Sequence, residues 1–379
     1  MVMKNKRTEQ SICIVAENYP NKKESPFPFV QELARGLTSE GVKCTVIAPQ
    51  SITRAIVRRK KLLPIYDLDF DENKNQISVI RPYYISFSNT KKSGYFSDLF
   101  FSSAIKYAIK KLRHIQNVYC YFWHVGLLTA RCISDEKVKI TVQASEASLS
   151  SEAIGRNLKY LKRISRVVCA SSKNFEESEN AGLLLGKDVK IIVNGYQPKE
   201  FFHIDKFTAR ERLGFDSKAF ILVFVGSFIK RKGIVELDNV LNRFEDVYSI
   251  FIGSGEYKPH NERILFADAL KHDQIVEYIN CGDIFVLPTK AEGCCNAIIE
   301  AIACGLPVIS SKKSFNNEIL DDSYSIRIDE SNEEELYEAI YYLKESKEAR
   351  LEMSNNALKK AAELTLQHRI TRVMDFLFD

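Results

Sequence analysis

Glu292 and Glu300 bracket the segment Glu-Gly-Cys-Cys-Asn-Ala-Ile-Ile-Glu, and the residues around them read as strand, loop, helix, turn and strand from Val286 to Val308. Asn296 fits the N-cap position ahead of a helix over 297–303. Gly305 fits its C-terminal stop, and Pro307 forbids continuation. A helix that starts there leaves the backbone amides of Gly293, Cys294, Cys295 and Asn296 without helical acceptors, over the positive end of the helix dipole. That is a place for an anion, and a phosphate suits it. Glu300 sits about 6 Å further along the axis. Two carboxylates beside one phosphate site repel the phosphate, but they can accept hydrogen bonds from hydroxyls on either side of it, one on a sugar and one on a ribose. Taken by spacing alone, the same residues also describe an ordinary helix with an acidic residue at its start.

A second loop, Phe224-Val-Gly-Ser-Phe-Ile-Lys-Arg-Lys-Gly-Ile234, follows an apolar strand. Gly226 allows close backbone approach after that strand. Lys230, Arg231 and Lys232 put three cations where the next helix opens, and cations beside a diphosphate stabilise charge on a departing nucleotide. Alone, the tripeptide is equally a solvated basic turn. In the first half, Tyr19-Pro-Asn-Lys-Lys-Glu-Ser-Pro-Phe-Pro-Phe29 is a proline-rich loop after the first strand, which places Pro26 and Phe27 on a cleft-lining loop. Asp67-Leu68-Asp69 has metal-binding spacing but reads as a charged loop without supporting ligands, so no metal site is expected.

Short β-branched runs alternating with helical patterns must position these loops. Ile12–Ala16, a helix over 29–39 and Cys44–Ala48 open the chain as a βαβ unit. The alternation continues to Lys190–Val193 and restarts at Phe220–Val225. The pattern predicts an α/β protein of two doubly wound, Rossmann-like domains facing a cleft, with ligands at the carboxyl ends of parallel strands. The expected division is residues 1–195, residues 196–365, and a C-terminal helix over 366–379 that packs back on the first domain.

The 379 residues are too many for one core, and 45% apolar with 27% charged residues excludes disordered, collagen-like and coiled-coil classes. No apolar run approaches the ~18 residues of a membrane span, and no signal-peptide core follows the polar start, so the expected location is cytoplasmic. Nine cysteines without a C-x-x-C pair read as buried free thiols. Charge is unevenly spread: 32 Lys and Arg against 19 Asp and Glu in residues 1–200, then 22 against 30 in the rest. Arg58 to Lys61 is one basic cluster. Lys106, Lys110, Lys111 and Arg113 surround a helical stripe of Phe101, Ile105, Ala108, Leu112 and Ile115. That segment is either a core helix or an amphipathic element lying on an anionic bilayer. No nucleic-acid-binding motif appears.

The chain resembles the family 4 glycosyltransferases, which are retaining, nucleotide-sugar-dependent enzymes of GT-B fold. Glu292 and Glu300 match that family's E-x7-E motif, and Gly226 to Gly233 its glycine–lysine phosphate loop. Asn194-Gly-Tyr196 with Phe201, Ile252-Gly-Ser-Gly255, and the opening pattern over 12–47 match three further motifs. The resemblance implies that Glu300 binds the donor ribose and that Glu292 holds hydroxyls of the transferred sugar. It further implies that Lys232, with the amides of Gly293 to Asn296, holds the diphosphate, and that Gly253, Ser254 and Gly255 lie near the base. Gly226 and Ser227 belong to the donor loop. Ser227 stands where the family has arginine, and Arg231 is the candidate substitute. Gln143 stands where the family has histidine in an acceptor-side turn, and Asn316-Asn317 replaces a glycine pair, with asparagine still tolerant of left-handed backbone. His124, after a strand in the first half, is a further candidate for the acceptor side or else a structural histidine. The expectation is a metal-independent hexosyl transferase with no cofactor. A nucleoside-diphosphate sugar serves as co-substrate, and the acceptor is a glycan or lipid-linked glycan of cell-surface polysaccharide synthesis, met at the inner membrane surface. The alternative is a degenerate GT-B protein that binds a nucleotide sugar or a partner without catalysis.

Overall fold

The computed structural model describes residues 10–21, 27–87, 91–112 and 115–378. They form two compact units. Unit 1 holds the described residues of Met1–Ala170, Asn174–Ile192 and Ile370–Asp379, and unit 2 holds Ser171–Lys173 and Val193–Arg369. Apart from the three-residue segment Ser171–Lys173, the chain therefore passes between units at Ile192/Val193 and Arg369/Ile370, where the sequence suggested 195/196 and 365/366.

Unit 1 is built on an eight-stranded sheet. Its strands are β1 (Ser11–Val15), β2 (Lys43–Ile47), β4 (Tyr66–Phe70), β5 (Gln76–Ile80), β7 (Asn117–Tyr121), β8 (Lys139–Ala144), β9 (Ile164–Cys169) and β10 (Asp188–Ile191). A two-residue pair, β3 (Gln50–Ser51) with β6 (Tyr83–Tyr84), stands apart. The order is β10-β9-β8-β7-β1-β2-β5-β4, parallel except for β4 on β5. The central strands are apolar on both faces, as a sheet covered by helices on both sides requires. Asp67 and Asp69 lie on the antiparallel edge strand β4 rather than in a loop. The alternation Tyr-Asp-Leu-Asp-Phe belongs to a strand whose side chains are mostly exposed, and such a strand has no apolar run to announce it. Asp69 accepts from Tyr19, Gln31 and Arg35, while Asp67 pairs with Arg81 at 2.7 Å.

Four helices of unit 1 matter below: α1 (Pro28–Ser39), α2 (Ile52–Val57), α3 (Lys91–Ile109) and α4 (Trp123–Ala130). Phe101, Ile105 and Ala108 of α3 are buried in the unit 1 core, and Leu112 and Ile115, beyond the helix end, pack on the same cluster. The stripe is thus core packing, and it is not available to a bilayer. The helix packs chiefly on α4 and on β6, which take its apolar face out of water. Arg113 lies outside the described residues.

Unit 2 has six parallel strands: β11 (Phe220–Val225), β12 (Val247–Ile252), β13 (Ile264–Asp268), β14 (Ile284–Leu287), β15 (Val308–Ser311) and β16 (Ser325–Ile328). They are ordered β13-β12-β11-β14-β15-β16. Phe224, Ile250, Phe251, Phe285 and Val286 are fully buried in its core. The helices used below are α5 (Ile234–Leu241) and α6 (Asn296–Ala303). The last helix, α7 (Leu366–Phe378), starts in unit 2 and runs into unit 1.

Residues from Ile370 onward are held by unit 1. Arg166 donates to the Leu377 carbonyl at 2.6 Å, Arg372 donates to the Ile191 carbonyl at 2.8 Å, and the Phe376 ring lies under Arg166 and Lys190. A side chain on Gly36 of α1 would overlap Ile370, so α7 presses directly on α1. Ile370 is 1% exposed. Ile370→Ala should therefore cost unit 1 about 2–5 kcal/mol, read as a lower urea midpoint. An unchanged midpoint would show that α7 adds nothing to the unit.

Candidate functional site

In each sheet the strand order reverses beside one central strand, and the loops leaving the carboxyl ends there open a crevice. In unit 2 that strand is β11, flanked by β12 and β14. The loop after β11 carries Gly226 to Gly233, and the loop after β14 carries Glu292 to Cys295. The two candidate motifs therefore arrive side by side.

Glu292 joins them. Its Oε1 accepts from Lys232 Nζ at 2.6 Å, from Arg231 Nη1 at 3.0 Å and from the Thr289 hydroxyl at 2.9 Å. Arg231 also donates to the Ala291 carbonyl, and the Lys290 amide donates to the Arg231 carbonyl at 2.8 Å. Glu292 is only 9% exposed. Of the three cations, Lys230 turns away and lies over the Tyr257 ring, 5.2 Å from its centroid. Lys290 is occupied by Glu236 of α5, at 2.6 Å.

The glycines have structural reasons. Lys230–Lys232 is one 3-10 turn, closed by Gly233 at φ 72°, where a Cβ would overlap the Pro288 carbonyl oxygen. A Cβ on Gly253 or Gly255 would overlap the carbonyl oxygens of Gly226 and Phe228. The Phe228 amide donates to the Ser254 carbonyl at 2.9 Å. Gly253, Ser254 and Gly255 thus back the loop of Gly226 and Ser227, and Ser227, Ser254 and Gly255 remain exposed.

Helix α6 begins one residue earlier than the sequence suggested. Cys295, not Asn296, is its N-cap, and it offers no side-chain cap. Asn296 cannot cap because its Oδ1 is taken by Asn194 Nδ2 at 2.8 Å. Among the described residues the amides of Gly293, Cys294, Cys295 and Asn296 find no acceptor, so the positive helix end stays open. The Gly293 carbonyl is fixed by the Ser171 hydroxyl at 2.7 Å. Burial pushes the Cys294 thiol up to about 11 and that of Cys295 up to about 12, so both stay protonated at neutral pH. Glu300 is half-buried on α6. The helix stops as expected: Gly305 is left-handed at φ 82°, with the Leu306 amide on the Ala301 carbonyl and the Gly305 amide on that of Ile302. Asn317 is right-handed, at φ −59° and ψ −33°, so no left-handed turn replaces the missing glycines. Asn316 is instead buried, and its amide donates to Ser311.

Unit 1 contains a separate cavity of about 940 Å³ at the carboxyl ends of β1, β2 and β7. Glu17, Asp98 and His124 line it, together with Arg54, Arg58, Lys60 and Lys61. Asp98 is buried and accepts from His124 Nε2 at 2.7 Å, Arg156 Nε at 3.1 Å and Asn157 Nδ2 at 3.0 Å. Burial alone would lower the His124 pKa, but the bonds to Asp98 and Glu17 outweigh it and raise it to about 9. Burial would raise that of Asp98, yet its donors hold it below the usual carboxylate range. His124 is therefore a cation at neutral pH.

The other acceptor-side candidates do not reach this cavity. Gln143 is fully buried in β8, where its Oε1 accepts from the Tyr119 hydroxyl. Phe27 is the left-handed residue before α1, packed on Phe29 and Phe122 with ring centroids 5.3 and 5.7 Å away. Pro26 lies outside the described residues. Sequence reasoning missed Thr289, Ser171 and Asp98, and it named Asn194 only as part of a motif, without its partner Asn296. Each is an isolated polar residue whose partner is named only by the fold.

Residues 205–360 match the family model described as glycosyl transferases group 1. The chain is 26% identical over 318 residues to the putative teichuronic acid biosynthesis glycosyltransferase TuaC of Bacillus subtilis, covering 79% of this chain and 80% of that one. It is 26% identical over 209 residues to the N,N'-diacetylbacillosaminyl-diphospho-undecaprenol alpha-1,3-N-acetylgalactosaminyltransferase of Campylobacter jejuni, covering 52% of this chain and 55% of that one. Among solved structures, sucrose-phosphate synthase of Thermosynechococcus elongatus superposes with a TM-score of 0.76 at 16% identity, over 97% of this chain and 98% of that one. Anabaena Alr3699/HepE, solved with UDP and glucose, gives 0.72 at 14% identity, over 97% and 99%. At these identities the structures establish the fold alone, and it is the GT-B fold.

The His124–Asp98 pair makes a pH prediction. A proton bound more tightly in the folded state than the ordinary 6.5 stabilises the fold. That contribution is complete below pH 6.5 and is lost as pH rises through about 9. NMR titration should show His124 changing charge near pH 9, and Asp98→Asn should return it toward 6.5. A wild-type midpoint at 6.5 would remove the ion pair from the account.

Proposed function

We propose, from the match of residues 205–360 to the glycosyl transferases group 1 family model, that this chain moves a sugar from a nucleoside-diphosphate sugar to an acceptor hydroxyl with retention at the anomeric carbon. The observation that carries the reading is Glu292 with Lys232 and Arg231 on one oxygen, next to the open amides of α6. Cations and free amides at one helix end suit a diphosphate, and a carboxylate beside them suits sugar hydroxyls.

When the donor arrives, its diphosphate competes with Glu292 for Lys232 and Arg231. The released carboxylate accepts hydroxyls of the transferred sugar, and Glu300 takes those of the ribose. The acceptor oxygen forms its bond to the anomeric carbon on the face from which the diphosphate oxygen departs, and the acceptor proton leaves with that phosphate. Lys232, Arg231 and the amides of Gly293 to Asn296 stabilise the charge that develops there. Arg231 supplies the guanidinium that Ser227 lacks. The reaction proceeds without a metal, because fixed cations perform the charge neutralisation.

The relatives named for teichuronic acid and O-antigen biosynthesis support an acceptor that is a glycan or lipid-linked glycan of a cell-surface polysaccharide. Ile56 and Val57 stand 71% and 82% exposed next to Arg58, Arg59, Lys60 and Lys61, which favours work at the cytoplasmic face of an anionic membrane.

The test is a panel of UDP-, GDP-, ADP- and dTDP-sugars, with membrane extract as acceptor source, following release of nucleoside diphosphate. One donor should turn over, with or without EDTA. Lys232→Ala should lower the rate by about 10²–10³ with the fold intact, because Glu292 keeps Arg231 and Thr289. Wild-type turnover in that variant would overturn the assignment. Tight nucleotide-sugar binding without release would favour a binding protein.

A further inference from the structure

We propose that the unit 1 cavity holds an anionic group of the acceptor, a phosphate or a carboxylate, on Arg54, Arg58 and Lys61, while the acceptor's hydroxyls meet Glu17, Asp98 and His124. The inference rests on the glycosyl-transfer reading for the word acceptor, and on unit 1 alone for the site.

Helix α2 is the starting point. It has six residues and none of them is buried. Its Ile56 and Val57 point to solvent. Arg54 and Arg58 are four apart, a spacing at which like charges repel. Neither they nor Lys61 has an acidic side chain within ion-pair distance among the described residues. An element with no fully buried residue, whose exposed cations lack acidic partners, contributes little to the fold.

It is nevertheless held firmly. Ser51 caps it by accepting from the Arg54 amide at 3.1 Å, and the Ser51 hydroxyl is 2.6 Å from that of Ser86. Thr53 donates to the Ser86 carbonyl at 2.6 Å. The Gln50 amide grips both the amide and the carbonyl of Leu63, at 2.9 and 3.0 Å, and so fixes the turn that carries Lys60 and Lys61. Arg59 closes the helix in left-handed backbone, φ 51°, which a residue with a side chain adopts only at a cost. A strained, well-anchored array in which Arg54, Arg58 and Lys61 have no acidic partner among the described residues is the arrangement expected of a preformed anion site.

The cavity divides the charges. The buried carboxylate of Asp98 with His124 and Glu17 forms one part, and the exposed cations Arg54, Arg58, Lys60 and Lys61 form the other. Carboxylates and an imidazolium suit hydroxyls, and guanidinium groups suit a phosphate or carboxylate bidentately. The volume of about 940 Å³ accommodates a sugar with a charged substituent. A neutral glycan gives the cations no partner.

Trp123, the single tryptophan, is fully buried with its indole N–H on Ser178 and does not line the cavity, so binding is read by isothermal titration calorimetry. Glucose 1-phosphate, glucuronate and methyl glucoside are titrated into the full chain at low salt. At least one anionic sugar should bind about tenfold or more tightly than the neutral one. The tighter of the two identifies phosphate or carboxylate as the source. The preference should survive Lys232→Ala and vanish in the Arg54→Ala/Arg58→Ala double variant, whose melting should be unchanged because both arginines are exposed. Equal affinities, no binding of any probe at millimolar concentration, or a preference that persists in the double variant would each overturn the proposal. Nucleotide-sugar binding, measured on the same samples, separates the two readings. Its loss in wild type would sink glycosyl transfer and leave the anion site standing.

Discussion

One carboxylate oxygen, Oε1 of Glu292, is where two loops from two strands are tied together. Two cations adjacent in sequence repel each other, and a row of uncapped amides at a helix end adds to the same positive field. The field is tolerable because Glu292 supplies the opposite charge from within the protein, with Thr289 completing its bonds. On the proposed reading the carboxylate is an internal substitute for the donor diphosphate. Donor binding would then exchange one anion for another, and affinity would reflect a difference between two sets of charge-assisted bonds rather than the full strength of either.

That exchange needs the loops to be stiff. Stiffness comes from backbone against backbone: Gly253 and Gly255 lie on Gly226 and Phe228, and Gly233 lies on Pro288, at separations that no side chain survives. Below them both sheets reverse strand order at one strand, β1 in unit 1 and β11 in unit 2. This topological accident opens a crevice at the carboxyl ends in each unit. The same α/β grammar thus produces two different surfaces. One has cations balanced by a buried glutamate, and the other has unbalanced cations beside a buried His–Asp pair.

Much of this was legible from the residues. Apolar runs announced the inner strands, and Gly305 with Pro307 marked the helix end. Lys232, Arg231 and Glu292 could be named because glycine and proline punctuate the loops that carry them. Other features were hidden for identifiable reasons. Asn296 has the composition of an N-cap, but Asn194 occupies its oxygen from 102 positions away, and no local pattern reveals such a partner. Gln143 sits at a strand end that a motif would expose, yet Tyr119 on the neighbouring strand covers it. The helical stripe on α3 fits a membrane as well as a core, and periodicity does not say which surface it meets. The edge strand β4 and the short helix α2 bury almost nothing, so hydrophobic pattern carries no trace of them.

The passage of α7 into unit 1 orders events in time. Ile370 presses on Gly36, and Arg166 and Arg372 reach across to and from this last helix. On the ribosome the first unit is translated nearly in full before the second begins, yet one flank of its α1 stays uncovered until residues beyond 369 emerge. The second unit has by then been synthesised. The unit that starts first is therefore sealed last, and during that interval its open apolar flank is the part of the nascent chain for chaperones to shield.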